Sequence, residues 1–311
     1  MGELVTIGEA LLRLAAPGDE RIEATDRFAV GVGGPEVGAS VAADRLGVPT
    51  TFLTKVPDSA LGRRVEAELR RYGVGTRILR SEAGRQGVYY HERGGEPRGT
   101  KSVYDRDNSS FRTASVDDFD HDLVRDARVF YVSGETPSLS RSMTETTADL
   151  MSAARDAGTT VAFDLHHNPS LLPASRAETQ LTQLLPAVDV LFVSLGDART
   201  VLGHEEGGAP RVAHKLASLH DLGTVVVTRT DGACVWHDNV VHSHDGFDAT
   251  VANPIGADDA FHGAFLARRL LGDDIESALA YGGAAAAIKR TLPSDVALIG
   301  REEVEDLVYD G

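Results

Sequence analysis

The 311 residues, 42% of them apolar, suffice for one large α/β domain or two small ones with a core that needs no disulfide or metal staple. The 47 acidic against 31 basic residues leave a formal net charge of −16, which repels nucleic acid and anionic membranes. A single cysteine, Cys234, excludes an internal disulfide and fits a reducing cytoplasm, and no apolar run reaches the length of a membrane span. Only Lys55, Lys101, Lys215 and Lys289 are lysines, so almost all positive charge is arginine. An acidic, lysine-poor chain suits a salt-rich cytosol where screening weakens self-repulsion; an ordinary acidic cytosolic protein is the alternative.

The chain opens on MGELVTIGEALLRL, which lacks a basic n-region and reads as a first strand, not a signal peptide. EVGASVAADRLG predicts a helix ending at Gly47, TTFLTKV a strand, and SALGRRVEAELRRYG an amphipathic helix ending at Gly73. Further on, the apolar, β-branched runs ARVFYVSG, TTVAFDL, VLFVSL and TVVVTRT alternate with helical segments such as SMTETTADLMSAARDAG and RVAHKLASLHDLG. This rhythm predicts βαβ units, hence a mostly parallel sheet with helices on both faces. ACVWHDNVVHSHD reads as a hairpin, and DDAFHGAFLARRLLG and IESALAYGGAAAAIKRT as two closing helices.

Two segments, about 11–31 and 85–112, break the rhythm. The second alternates aromatic and polar residues around Gly94-Gly95 and predicts a β-hairpin. Together they predict a small antiparallel β lid on a single α/β domain spanning 1–311. A surface hairpin or dimer contact is the alternative, and both can hold at once.

The stretch NPIGADDAF follows the last strand and opens a helix, so its backbone N–H groups lie at a positive dipole end. Gly256 and Ala257 are small enough to let a phosphate approach the backbone. An acidic first turn repels a resting anion, so Asp259 makes sense as the acceptor of a proton from a nucleophile attacking that phosphate. Taken locally, a helix-capping turn is the simpler account.

In order along the chain, GGPEVGASVAADRLG, VTRTDGA and NPIGADDAFHGAFLA resemble the signatures of the ribokinase, or PfkB-type, carbohydrate kinase family, nearly end to end. Glu36, the GRQGVYY…GEPRGTKSVYDR hairpin and IKRTLPSD point to its 2-keto-3-deoxygluconate kinase branch. The resemblance implies a ribokinase-like fold and ATP-dependent phosphorylation of a sugar or sugar-acid hydroxyl. It implies Mg²⁺ across the phosphates, and a monovalent cation such as K⁺ is a candidate second ion. Asp259 matches the catalytic base, and Gly256, Ala257 and Asp258 match the backbone anion hole. Gly33 and Gly34 match the turn against the sugar. Tyr90, Tyr104 and Arg106 match lid positions that hold substrate, Arg106 being suited to its carboxylate. Asn168 and Asp295 stand at substrate-side positions. Ser194 and Asp197 match the phosphate-and-metal motif, Thr228, Arg229 and Gly232 the loop beside the ATP phosphates, and Ala285 to Lys289 a stretch near the adenine.

Departures cluster in these motifs. Asp258 replaces a glycine of G-A-G-D, Asn253 its leading Asp, and Gly38 the Asn that ends the early signature. His166 and Asn168 replace the Asn and Arg of F-D-x-N-x-R-P, Ser194-x-x-Asp197 replaces N-x-x-E, and Ser294-Asp295 replaces G-D. Asp258 opposes an incoming phosphate unless a cation sits between them, and losing the Arg at 168 removes a charge-assisted partner of roughly 1.5–3 kcal/mol. A diverged paralogue that binds sugar acid or nucleotide with little catalysis is therefore a second reading. Fructokinase or nucleoside kinase chemistry is a third, against which Glu36 and the Tyr104–Arg106 lid argue.

Simpler accounts exist for single residues. Gly33-Gly34 can be an ordinary turn, Tyr90 and Tyr104 cross-strand packing, and Arg106 part of a solvated charge cluster. His166 and His167, adjacent in a strand, point to opposite faces and lack a ligand set, so no metal ion is expected on them. The expected partner is a small sugar or sugar acid, without nucleic acid or membrane. The expected location is cytoplasmic, and the lid's edge strands offer a route to a homodimer.

Overall fold

The computed structural model describes residues 2–204 and 207–310. Its strands are β1 (Leu4–Ile7), β2 (Leu11–Ala15), β3 (Ala29–Gly33), β4 (Thr50–Pro57), β5 (Gly75–Ser81), β6 (Val88–Glu92), β7 (Lys101–Asp105), β8 (Val129–Ser133), β9 (Thr160–Asp164), β10 (Val190–Ser194), β11 (Thr224–Arg229), β12 (Gly232–His237) and β13 (Val240–His244). Its helices are α1 (Pro35–Arg45), α2 (Ala60–Tyr72), α3 (His121–Arg125), α4 (Glu135–Ser138), α5 (Arg141–Asp156), α6 (Ala174–Thr182), α7 (Leu195–Thr200), α8 (Ala209–His220), α9 (Ala257–Leu271), α10 (Ile275–Thr291) and α11 (Arg301–Asp310). The sequence rhythm leaves α11 unassigned.

One sheet has the order β13-β12-β11-β10-β9-β8-β1-β4-β5. It is parallel from β5 to β11, and the hairpin β12–β13 extends it antiparallel at one edge. Side chains alternate between its two faces because the strand repeat is two residues. Phe130, Val132, Phe163, Leu191 and Val227 join Met143 and Leu150 of α5 and Leu216 of α8 on one face. Tyr131, Ala162, Phe192 and Val226 join Ala42 of α1, Phe265 of α9 and Ala284 of α10 on the other. Both faces are covered, which is why these strands read as unbroken apolar runs. No helix among the described residues is long and apolar enough to cross a membrane.

The second sheet, β3-β2-β6-β7, comes from the two segments that break the rhythm. Its outer pairs are antiparallel hairpins, while the central pair β2–β6 runs parallel. Each hairpin leaves the body and returns to it, and the two outgoing strands are neighbours. Tyr89 faces Tyr104 across β6 and β7, with the rings stacked at 5.7 Å.

Helix α9 lies against α1 at the Gly263 position, where a Cβ would fall on the carbonyl oxygen of Ala39. This close approach brings the start of α9 to the edge where β8, β9, β10 and β11 end. Crevices beyond strand carboxyl ends are where open parallel sheets bind ligands.

Candidate active site

The loop before α9 is shaped by its own polar groups. Asn253 donates from Nδ2 to Asp295 Oδ1 at 2.7 Å and to the Ser294 carbonyl at 3.2 Å, and its Oδ1 accepts from the Ile255 N–H at 3.1 Å. Gly256 then caps α9 in the left-handed region at φ 81°, where a Cβ would collide with the Asp295 carbonyl oxygen. Only glycine meets both demands. The Ala257 N–H turns back to the Pro254 carbonyl at 3.3 Å, while those of Asp258 and Asp259 have no acceptor among the described residues and remain available to an anion.

Lys289 lies beneath this loop, fully buried, and donates to the Asn253 carbonyl at 3.0 Å. Burial pulls its pKa down to about 8, with Asp295 acting in the opposite sense. Neither Lys289 nor the fully buried Ala285, both expected from the sequence to line a binding groove, borders the groove beside the β11–β12 turn. The helical face of α10 that borders the groove carries Leu279, Gly283, Ala286 and Arg290 instead. Their i, i+4, i+7, i+11 spacing was visible in the sequence. The GG-AAAA run of α10 hid which of its small residues face the groove.

Thr228, Arg229 and Gly232 border that same groove at the β11–β12 turn. Arg229 is held by Asp231 at 3.0 Å and Asp245 at 3.4 Å. Ser194 caps α7, its Oγ accepting from the Asp197 N–H at 2.9 Å. Asp197 in turn accepts from the His167 N–H at 3.4 Å, and burial raises its pKa. The Ser-x-x-Asp motif is therefore a helix cap here; Ser194 lines, with Arg199, which the sequence reading did not name, the cavity that adjoins this groove at Thr228 and Arg229.

Across the α9 N-terminus lies a second cavity, called the acceptor cavity below. Gly34, Tyr89, Tyr104, His166, Asp259 and Asp295 are among its walls. Gly33 sits behind it, under the Tyr89 hydroxyl. Tyr89 donates to Asp295, which also pairs with Arg13 Nε at 2.9 Å. Tyr90, the residue expected here, points the other way and packs edge-on against Phe28 at 5.7 Å, because neighbours in a strand face opposite sides.

Arg106 and Asn168 also depart from expectation. Arg106 is 4% exposed, donating from Nε to Glu9 at 2.8 Å and from Nη1 to Glu135 at 2.7 Å. Asn168 Nδ2 donates to the other oxygen of Glu135 at 2.7 Å. Both brace Glu135; neither is free to meet a ligand carboxylate. Glu36 is likewise structural: fully buried against Gly8, it accepts from Ser133 and Thr136.

Asp259, at the third residue of α9, is 8% exposed and lies against the α-carbon of Gly38. Its pKa is raised well above the carboxylate range, first by burial, with the His166 charge opposing and Asp164 and Asp258 adding to the rise. Asp164, His262 and Asp259 bring side-chain ligand atoms within 4.8 Å of one another. Asp164 engages His166 Nδ1 at 3.2 Å and His262 Nδ1 at 3.4 Å, and His262 Nδ1 lies 3.2 Å from the Tyr131 hydroxyl. Asp258, one residue earlier, is exposed and borders both the second cavity and the groove at the β11–β12 turn.

The Gly38 departure now has a physical reason. A Cβ at 38 would stand 2.6 Å from Asp259 Cβ and 2.9 Å from its Oδ2, so a side chain there must displace the carboxylate. Gly38→Val is expected to lower kcat by about 10²-fold, the scale of a 1 Å misplacement. Steady-state kinetics on folded protein would read this, and unchanged kcat would show that Asp259 tolerates the shift.

A helix start open to a groove on one side and a small cavity on the other suits transfer of an anionic group from a large donor to a small acceptor. Residues 1–298 match the family model described as pfkB family carbohydrate kinase, and the chain belongs to that family. It is a carbohydrate kinase, a phosphotransferase. It is 44% identical over 310 residues to a 2-dehydro-3-deoxygalactonokinase of Haloferax volcanii, covering 99% of this chain and 97% of that protein. A 2-dehydro-3-deoxygluconokinase of Thermoproteus tenax is 29% identical over 318 residues, covering 99% and 94%. The crystal structure of a 2-dehydro-3-deoxygluconokinase from Thermotoga maritima superposes with a TM-score of 0.94 at 31% identity, covering 98% and 97%.

Proposed function

We propose that the protein transfers the terminal phosphate of ATP to a hydroxyl of a six-carbon 2-dehydro-3-deoxy sugar acid. The observation that carries this reading is Asp259, a buried carboxylate at the α9 start on the wall of the acceptor cavity, next to Asp258, which borders both cavities. The acceptor hydroxyl gives its proton to Asp259 as it attacks the phosphorus, and the N–H groups of the α9 start take up the charge on the phosphoryl oxygens. Leu279, Gly283 and Ala286 offer the adenine a flat apolar wall, and Thr228 and Arg229 lie toward the phosphates.

Mg²⁺ fits this donor set, because the exposed Asp258 carboxylate gives a hard oxygen ligand at the junction. When bound, it neutralises charge on the phosphates. The Asp258 departure is then compatible with phosphate binding, since a cation separates the two anions.

The relative at 44% identity favours the galacto-configured acid over the gluco-configured acid that the sequence motifs suggested. ADP release is expected with either acid in molar KCl, faster with the galacto epimer and at least ~10-fold above fructose, about 1.4 kcal/mol of discrimination. Folded protein that releases ADP with fructose or a nucleoside but with neither acid would overturn the substrate reading.

A further inference from the structure

The acceptor cavity poses a charge problem for an acidic ligand. Glu135, Asp258, Asp259 and Asp295 all border it, and His166 is the one basic residue among its described lining. Arg106 and Asn168, the side chains that the sequence put forward for a carboxylate, are both engaged with Glu135. Arg13 pairs with Asp295 from behind.

His166 is built to face this space. It follows β9 with φ 31°, an uncommon backbone region for a residue with a side chain. Its side chain keeps 34% of its surface exposed. Nδ1 sits 3.2 Å from Asp164 Oδ2, so the buried carboxylate accepts the Nδ1–H hydrogen bond and sets the ring orientation. Nε2 makes no hydrogen bond to any described residue, and the nearest carboxylate oxygen, Glu135 Oε1, is 3.8 Å away.

Resting on the sugar-acid reading above, we propose that His166, oriented by Asp164, recognises the carboxylate of the acceptor by donating a hydrogen bond from Nε2. Its charge state supports this. Burial disfavours the cation, but Asp164, Glu135 and Asp259 outweigh it and hold the His166 pKa well above its usual value. The titratable groups facing the ring are Asp164 on β9, Glu135 on α4, Asp197 on α7, and Asp259 and His262 on α9. Burial lowers the pKa of His262, so it stays neutral and does not compete. A raised folded pKa means the imidazolium is present at neutral pH and is lost as pH rises through that value. Acid affinity falls with it.

The test compares the sugar acid with its own primary amide, which has the same shape and no charge. KM and kcat are measured for wild type, His166→Gln and His166→Arg, alongside calorimetric binding of the acid without nucleotide. His166→Gln is expected to weaken the acid by about 10- to 100-fold in KM and Kd, the scale of one charge-assisted hydrogen bond. Amide KM should move by less than about threefold on the same scale, and His166→Arg should recover part of the acid affinity. Asp164→Asn, which removes the negative charge beside His166 Nδ1, should move the alkaline fall in acid affinity to lower pH. Should His166→Gln fail to fold, this variant carries the test.

Equal loss for acid and amide, or a fall in kcat alone, would overturn the proposal and make His166 a structural brace for Asp259. So would an unchanged acid Kd in His166→Gln or an unmoved pH profile in Asp164→Asn. Wild type that neither binds nor phosphorylates either acid defeats the sugar-acid reading itself. Wild type that handles the acid while the variants behave like it defeats only the role of His166.

Discussion

Asp259→Asn is expected to lower kcat by ~10²–10⁴-fold, the range for removing a general base, while acceptor KM and nucleotide-induced stabilisation change little. The substitution keeps the shape of the side chain and its place against Gly38 and removes only the capacity to take a proton. The wild-type profile adds a second signature. Because burial, Asp164 and Asp258 raise the Asp259 pKa, the acidic limb of kcat/KM should lie above the ordinary carboxylate range. Activity needs the ionised form, so it falls as pH drops through that raised value, and the residual activity of the Asn variant should lack this limb.

Stability should move the other way. A carboxyl whose folded pKa is raised stabilises the fold only while protonated, and that contribution is lost as pH rises through the folded value. At neutral pH the buried charge is a burden, so the Asn variant should unfold at equal or higher temperature than wild type. A variant that is less active and no less stable is the pattern of a site strained for function. Unchanged turnover would remove Asp259 from the mechanism.

Arg106→Met is expected to destabilise the fold by about 3–5 kcal/mol, the cost of leaving buried ionic partners alone. Its guanidinium is shared between Glu9 and Glu135, and all three side chains are almost fully buried. Burial by itself would raise the Glu135 pKa; Arg106, His166 and Asn168 reverse this and hold it below its usual value. A depressed carboxyl stabilises the fold above its unfolded pKa, and the contribution is lost as pH falls through the folded one. The variant's deficit should therefore be fully present at pH 7 and narrow below about pH 4.5, the unperturbed Glu value, as Glu135 takes up a proton. Denaturant unfolding at the two pH values would measure it. An ordinary substrate contact predicts the reverse: a higher acceptor KM with stability within ~0.5 kcal/mol, as for exposed substitutions.

One strand alternation and one buried ion pair account for much of what the sequence reading missed. Tyr89 and Tyr90 are both aromatic, and only the pairing of β6 with β2 and β7 decides which faces the cavity. Likewise Arg106 looks like a surface arginine between Asp105 and Asp107, yet it turns inward to Glu9 and Glu135. Those two are distant in sequence, and no local pattern announces them.

The sequence by itself determined the parallel α/β body, through apolar strands that must be covered on both faces, and the Gly-Ala-Asp-Asp start of α9, through turn and dipole chemistry local to a few residues. It also identified the family, because ordered motifs along the chain survive several substitutions within them. Which side chains meet in the acceptor cavity was decided only by tertiary structure. His166 follows β9, and Glu135, Tyr89 and Asp259 come from α4, the lid and α9; Tyr89 meets Asp295, Glu135 meets Arg106, and His166 approaches Glu135 across tens of residues or more of chain. Charges that are neighbours only in space set one another's protonation, and spacing along a chain carries no record of that.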